Sequence, residues 1–202
     1  MDDIRERIVE TAYEKFAEEG PQHVSMATVA QHAGTEEAAI RALFVDHRGL
    51  LATVLDEKTG PLVSAVSILL SEEDDIRQVL RTALRLVHQF LVNEPRYGRI
   101  VAWTALEGGE MLGAAFARSF YPSEFNDRLQ SAVQSGQLRT RSVLTAMMIM
   151  DALMLFPSLI RGAFESGTMA EVDLETLYDE FFADVMELLD HGLFVDAPRD
   201  DS

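Results

Sequence analysis

Cysteine is absent from the 202 residues, which excludes a disulfide framework, a thiol nucleophile and a thiolate metal site. Lysine occurs only at Lys15 and Lys58, so arginine supplies nearly all the positive charge. The five histidines are scattered, and none follows a glutamate by three positions, the spacing that a di-iron helix bundle needs. No phosphate loop, dinucleotide fingerprint or G-x-S-x-G elbow is present. The chain is therefore not expected to be an enzyme, with no catalytic residue, cofactor or metal site. Also missing is an apolar run free of charge over the roughly 18 residues of a membrane span. The most apolar stretch, SVLTAMMIMDALMLFPSLI, has Asp151 in its middle and Pro157 near its end, and it reads as a buried helix. The start, MDDIRERIVE, lacks the basic residues and apolar run of a secretory signal. A cytoplasmic protein with no membrane partner is expected.

What the chain has in quantity is acid. There are 34 Asp and Glu against 17 Lys and Arg, a formal charge of -17. Such a charge opposes nonspecific attraction to nucleic acid or anionic lipid. The acids are spread through every segment instead of forming a tail, as suits a high-salt interior where screening is strong. Apolar residues make up 48%, enough for one sizeable core or for a small lobe and a larger one.

Apolar spacing is helical throughout, with no run of strand alternation, so the fold is expected to be all-α. A first helix over 2–19 carries Ile4, Ile8, Ala12, Tyr13 and Phe16 on one stripe and stops at Gly20-Pro21. Ser25 caps a second helix that ends at Gly34, Thr35 caps a third, and Asp46 caps a fourth. Gly60-Pro61 should kink or restart that fourth helix, because proline removes a backbone donor and crowds a carbonyl. Ser71 is the capping candidate for a fifth helix closed by Pro95. Shorter helices over 96–106 and 110–120, a piece before Gly136, and two long apolar helices over 141–164 and 173–191 complete the chain. The expected organisation is a three-helix lobe over 1–48, a larger helical lobe over 49–194 and a polar tail over 195–202.

The first lobe has the parts of a helix-turn-helix. Val24, Met26, Val29 and Ala30 form the inner face of a support helix, Ala33-Gly34 the turn, and Ile40, Leu43 and Phe44 the inner face of a recognition helix. The stretch IVETAYEKFAEEGPQHVSMATVAQHAGTEEAAIRALFVDHRGLLATVL resembles the N-terminal domain of the tetracycline-repressor (TetR) family of bacterial regulators. The resemblance covers nearly all of residues 4 to 55: the A-x-x-x-F-A-E-x-G run at Ala12 to Gly20, S-M-x-x-V-A at Ser25 to Ala30, Ala33-Gly34, and Phe44 followed by Leu50-Leu51. It implies a ligand-responsive transcriptional regulator, expected to be a repressor, that binds operator DNA as a homodimer. The last two long helices would form the dimer contact and the middle helices a pocket for a small effector.

The pattern departs where family members grip phosphate. Ala27, Glu36, Glu37, Ala38 and His47 stand where basic or small-to-basic residues are common, and Arg41 and Ala42 replace two aromatics. Over the first fifty residues ten acids face five basic residues. Glu36 and Glu37 either stabilise the positive end of the third helix, or Glu37 accepts a hydrogen bond from a cytosine edge in the groove. Candidate DNA contacts are Ser25, Thr28, Thr35, Glu37, Ala38, Arg41, His47 and Arg48. Arg41 can alternatively pair with Glu37 at i,i+4. The competing function is a family member that has kept the dimer and pocket, lost DNA binding, and acts on a partner protein.

Candidate residues for an apolar or amphipathic effector are His88, Trp103, Met111, Phe116, Phe120, Met147 and Asp151, with thioethers supplying adaptable walls. For each large apolar side chain, ordinary core packing is the simpler reading. Asp151, an acid in a nearly all-apolar helix, needs a partner if buried. Three are open: an arginine such as Arg161 or one of a second subunit, a cationic ligand, or solvent. Leu144, Met148, Leu155, Phe181, Val185 and Leu188 are the expected dimer residues.

Overall fold

The computed structural model describes residues 2–106, 121–165 and 171–195. Among them the regular elements are helices: α1 Asp2–Glu19, a 3-10 turn Pro21–His23, α2 Met26–Ala33, α3 Glu37–Phe44, α4 His47–Glu72, α5 Ile76–Asn93, α6 Pro95–Leu106, α7 Ser123–Gln134, α8 Val143–Glu165 and α9 Leu174–Gly192. One antiparallel bridge, Leu138 to Phe194, joins the segment after α7 to the residues that follow α9. The all-α expectation therefore holds; the helix expected over 110–120 lies outside the described residues.

Local chemistry explains most of the helix ends. Ser25 Oγ accepts the Thr28 N–H at 3.0 Å and starts α2. Gly34, in the left-handed conformation (φ 65°, ψ 42°), ends it, as a residue without Cβ does at little cost. Asp46 Oδ1 accepts the Gly49 N–H at 2.8 Å at the head of α4, and Asp173 caps α9 through Glu175 N–H at 3.2 Å.

Two capping expectations fail here, and of the two outcomes open at Gly60-Pro61 the restart is excluded. Thr35 does not cap α3: Glu36 holds the cap position with backbone alone, its carbonyl accepting Ala39 N–H at 3.0 Å. Ser71 falls inside the last turn of α4, where its hydroxyl donates to Ile68 O at 2.7 Å, and Asp75 caps α5 instead, accepting Arg77 N–H at 2.9 Å. Nor does α4 restart at Gly60-Pro61; it is helical from His47 to Glu72 with Pro61 inside. A proline removes one helical hydrogen bond, and burial of Leu55, Leu62 and Val66 on either side of it favours the continuous helix.

The described residues form two compact units. Residues 2–63 and 93–106 make the first, and 64–92, 121–165 and 171–195 the second. The helix-turn-helix lobe thus includes the first part of α4 and all of α6. Its core is Ile8, Ala12, Tyr13, Phe16, Val29, Ile40, Leu50, Tyr97 and Ile100. The second unit is centred on the apolar face of α5 (Val79, Leu80, Ala83, Leu84, Val87), with Phe125, Leu129, Met150, Tyr178 and Leu189. Over Val143–Gly162, α8 is long and apolar enough to cross a membrane by length and composition, with a mean hydropathy of 2.0. Ala146, Met150 and Met154 are buried in the second unit, but only 28% of that stretch is buried, so one face of the helix joins the core and the helix as a whole is not buried, contrary to the expectation from the sequence.

The junction of α3 and α4 is strained. Val45 has φ 64° and ψ -61°, and Asp46 N–H donates back to Phe44 O at 2.7 Å, a tight three-residue turn that a β-branched residue rarely adopts. The chain then folds so closely that a Cβ on Gly49 would overlap the Phe44 carbonyl oxygen. Val45→Gly should therefore stabilise the protein by about 1 kcal/mol, whereas Gly49→Ala should destabilise it by about 2 kcal/mol. Urea unfolding midpoints of the two variants should move in opposite directions.

Candidate nucleic-acid interface

Helix α3 buries Ile40 and Phe44 and turns Ala38, Arg41 and Ala42 outward. Leu43, expected inward, is 42% exposed; the helix has only eight residues, and its buried stripe is the single i,i+4 row of Ile40 and Phe44. Val45, 81% exposed at the end of α3, joins the outer face. Its exposure had no signal in the sequence, since a valine there reads as one more apolar anchor.

The polar candidates fall into two groups. Ser25 and Arg48 are exposed, Thr28 is half-buried, and Ser25 Oγ lies 2.8 Å from Thr28 Oγ1, so these hydroxyls occupy each other. Arg41 donates from Nε and Nη2 to Glu37 Oε1 at 2.8 and 2.5 Å. The i,i+4 ion pair open at the sequence level is therefore formed. Both side chains are largely solvated, and such pairs are worth only a few tenths of a kcal/mol. His47 is turned inward: its ring meets Phe16 edge-on at 5.3 Å, and its buried Nε2 has no hydrogen-bond partner.

Trp103 also lies elsewhere than expected. It belongs to the first unit, where the indole covers Gly20 and meets His23 edge-on at 6.5 Å. The start of α6 and the residue before it help seat α1: Tyr13 Oη donates to Glu94 Oε2 at 2.8 Å, and Arg96 pairs with Glu14 at 3.5 Å. Burial, and then the Glu94 carboxylate, hold the Tyr13 phenol well above its ordinary pKa. The large aromatic predicted to line a pocket instead locks α6 onto the turn after α1.

The second unit holds the other described effector candidates. His88 stacks on Phe182 at 4.4 Å, with Nε2 3.7 Å from Asp179 Oδ1; burial lowers its pKa against the opposing pull of Asp179. A groove of about 670 Å³ runs between α5 and α9, with Arg77, Arg81, Arg85, Phe182, Met186 and Asp190 on its walls. Arg81 is ion-paired with Asp190. The groove was not anticipated, although the i,i+4,i+8 arginines marked one face of α5. Met147 and Asp151 are half-buried on α8, while Met150 and Met154 are core. Arg161, ten residues from Asp151, pairs instead with Glu165 at 2.6 Å, since ten helical residues span about 15 Å. Met111, Phe116 and Phe120 lie outside the described residues.

Among the expected dimer residues, Leu144, Met148 and Leu188 are 68%, 64% and 66% exposed, and Phe181 is half-buried. Leu155 and Val185 are buried within their own chain, so they serve its core. Ile149, Phe156 and Leu159 are exposed as well. With Leu144 and Met148 they form an apolar stripe along α8 at helical spacing.

The sequence matches no family model and no curated protein. Solved structures do match over nearly the whole chain. FadR of Bacillus subtilis, solved with stearoyl-CoA, is 16% identical and aligns over 91% of this chain and 96% of its own, with a TM-score of 0.67. A regulator from Saccharomonospora viridis, solved with choline, is 17% identical over 97% and 100%, TM-score 0.64. A protein from Rhodococcus sp. described as a TetR-family transcriptional regulator is 19% identical over 92% and 97%, TM-score 0.64. The chain has the fold of the TetR-type regulators. The resemblance expected over residues 4 to 55 is thus joined by a likeness of fold over more than nine-tenths of the chain.

Among the described residues Asp151 is the carboxylic acid whose pKa is raised most. Burial pushes its carboxyl up from 3.8 to about 6, so the folded state favours the protonated form and loses stability as pH rises from about 4 through 6. Asp151→Asn should raise stability at pH 7.5 by about 2 kcal/mol, and the gain should vanish near pH 4. Thermal unfolding at the two pH values measures both.

Proposed function

We propose that this chain is a ligand-responsive transcriptional regulator, a repressor by the habit of its fold, that binds operator DNA as a cytoplasmic homodimer through α2 and α3. The observation that carries the reading is the orientation of α3: its apolar row is buried, while Ala38, Arg41 and Ala42 face outward. Two small side chains beside one arginine allow the helix to approach base edges closely. Ser25 and Arg48 are exposed, and a phosphate would compete with the contacts that Ser25 makes with Thr28 in the free protein. Glu37 restrains Arg41 in the free protein, and DNA would take over that guanidinium at small cost because the pair is solvated.

The dimer is assigned to the apolar stripe of α8 with Leu188 of α9. A row of five large apolar side chains is more than a soluble monomer usually leaves contiguous, and a self-complementary helix face is the usual basis of a two-fold dimer. A small apolar or amphipathic effector would bind in the second unit. Two similar structures were solved with stearoyl-CoA and with choline, so the fold admits both kinds of molecule. The chain of α4 belongs to both units, which gives effector binding a covalent route toward the helix-turn-helix.

In a gel-shift series with genomic fragments over increasing salt, the full chain should retain a specific fragment at low salt. Arg41→Ala should weaken retention about tenfold, and Glu37→Gln, which frees Arg41 and removes a negative charge, should strengthen it. If no fragment is retained at any salt, the reading as a partner-protein binder replaces this one. Sedimentation equilibrium checks the dimer: Met148→Glu with Phe156→Glu should give a folded monomer, and an unchanged mass would place the interface elsewhere.

A further inference from the structure

On the reading that α3 meets DNA, we infer that its outer face selects operator sequence by apolar contact, with Val45 seated against the C5-methyl group of a thymine. Val45 carries two costs at once. Among the described residues it is the one non-glycine residue with a positive φ, and its φ of 64° and ψ of -61° are rarely adopted by a β-branched side chain. That side chain is also 81% exposed, so its apolar surface stays in water. Glycine would remove both costs, and asparagine would ease the first and remove the second. Burial within the chain does not explain the valine. A strained residue on the face that a helix-turn-helix offers to DNA points to a contact made with the DNA.

The neighbours of Val45 fix the chemistry of that contact. Ala38, Arg41, Ala42 and Val45 fall at i, i+3, i+4 and i+7, which is one face of a helix. All four are exposed, whereas Ile40 and Phe44 are buried. Three of the four have no hydrogen-bonding side chain, so they cannot read the donors and acceptors of a base edge. The C5-methyl of thymine is the apolar group that base pairs display in the major groove. Leu43, 42% exposed, widens the apolar edge beside Val45. Phosphates can supply little attraction here, because Glu36, Glu37 and Asp46 flank the face and Arg41 is paired with Glu37. Affinity that draws little on counterion release has to come from the bases. Apolar contact also suits an acidic chain in salt, since screening weakens ion pairs and leaves it intact.

The test uses the full chain and a short duplex cut from the fragment that it retains in the gel-shift series. Each thymine is replaced in turn by deoxyuridine, which lacks the methyl and keeps every hydrogen-bonding group. At one thymine of each half-site the wild type should bind about fourfold more weakly, the worth of one buried methyl. Val45→Ala should bind the unmodified duplex several-fold more weakly and lose nothing further with deoxyuridine at that position, since both changes remove the same contact. A valine that only shapes the end of α3 would instead give two independent losses. Val45→Gly should bind at least as weakly as Val45→Ala while unfolding at higher urea, which separates lost binding from lost folding. Wild-type affinity should fall less than about a hundredfold from about 50 to 200 mM salt. A fall of about a thousandfold or more would place the affinity in phosphates and overturn the inference. So would a retained duplex that no deoxyuridine weakens, or independent losses in the paired changes, and each of these leaves the regulator standing. If no fragment is retained at any salt, the regulator and the thymine contact fall together.

Discussion

Tyr13 has to satisfy two demands at once, and the first unit is arranged around how it does so. Its ring is buried with the Lys58 ammonium over its face at 4.2 Å, and its hydroxyl reaches Glu94. Lys58 in turn donates to Glu10, one turn back on α1, at 2.6 Å. One side chain of α1 thereby ties α4 on one side and the head of α6 on the other. A buried aromatic ring contributes apolar area, but a hydroxyl left unpartnered beside it would cancel much of that gain. Position and partner are therefore fixed together. Phe16, one turn on, is fully buried and holds the His47 ring, so the start of α4 is set by the same stripe. Helix α3 inherits its placement from this arrangement, since it lies between the α2 turn and the α4 head.

That seating explains why an acidic chain can keep a helix-turn-helix shape. Charge decides nonspecific affinity, which grows with the number of phosphates neutralised. Shape decides which face of a helix is presented, and it comes from burial of Ile40 and Phe44. The two are separable, and here they have diverged. Arg5 pairs with Glu57, Arg96 with Glu14 and Arg41 with Glu37, so several cations of the first unit are already matched inside it. Arginine suits this use because its planar fork keeps directional bonds where a lysine point charge is screened.

The order and ends of the helices were largely legible in the sequence because they follow from spacing and from side chains that act on the next turn: Ser25, Gly34, Asp46 and Asp173 all do what local chemistry says. Failures came where the deciding contact is remote or purely backbone. Glu36 caps α3 through its carbonyl alone, which no side-chain pattern reveals. Trp103 looked like a pocket residue because large aromatics often are, yet its position depends on Gly20, more than eighty residues away. The division of the chain was hidden for the same reason, since α6 joins the first unit through contacts with α1. On α8 the apolar character of the helix is legible, but not which residues face the core, because nearly every position is apolar and periodicity carries no phase.

Two residues run against the local rules, Val45 in its conformation and Asp151 in its burial. Neither is compensated nearby: Val45 is solvent-exposed at the tip of α3, and Asp151 has no partner among the described residues. A fold selected for stability alone would replace the first by glycine or asparagine and the second by a neutral residue. Their retention makes sense if each is completed by something outside the chain. The strained turn holds the end of α3 in one conformation, and burial holds the Asp151 carboxyl where its charge is disfavoured. Both features lower the stability of the free protein in proportion to what a bound partner can restore, which is the thermodynamic condition for a switch: a ligand moves an equilibrium only as far as it prefers one state over the other.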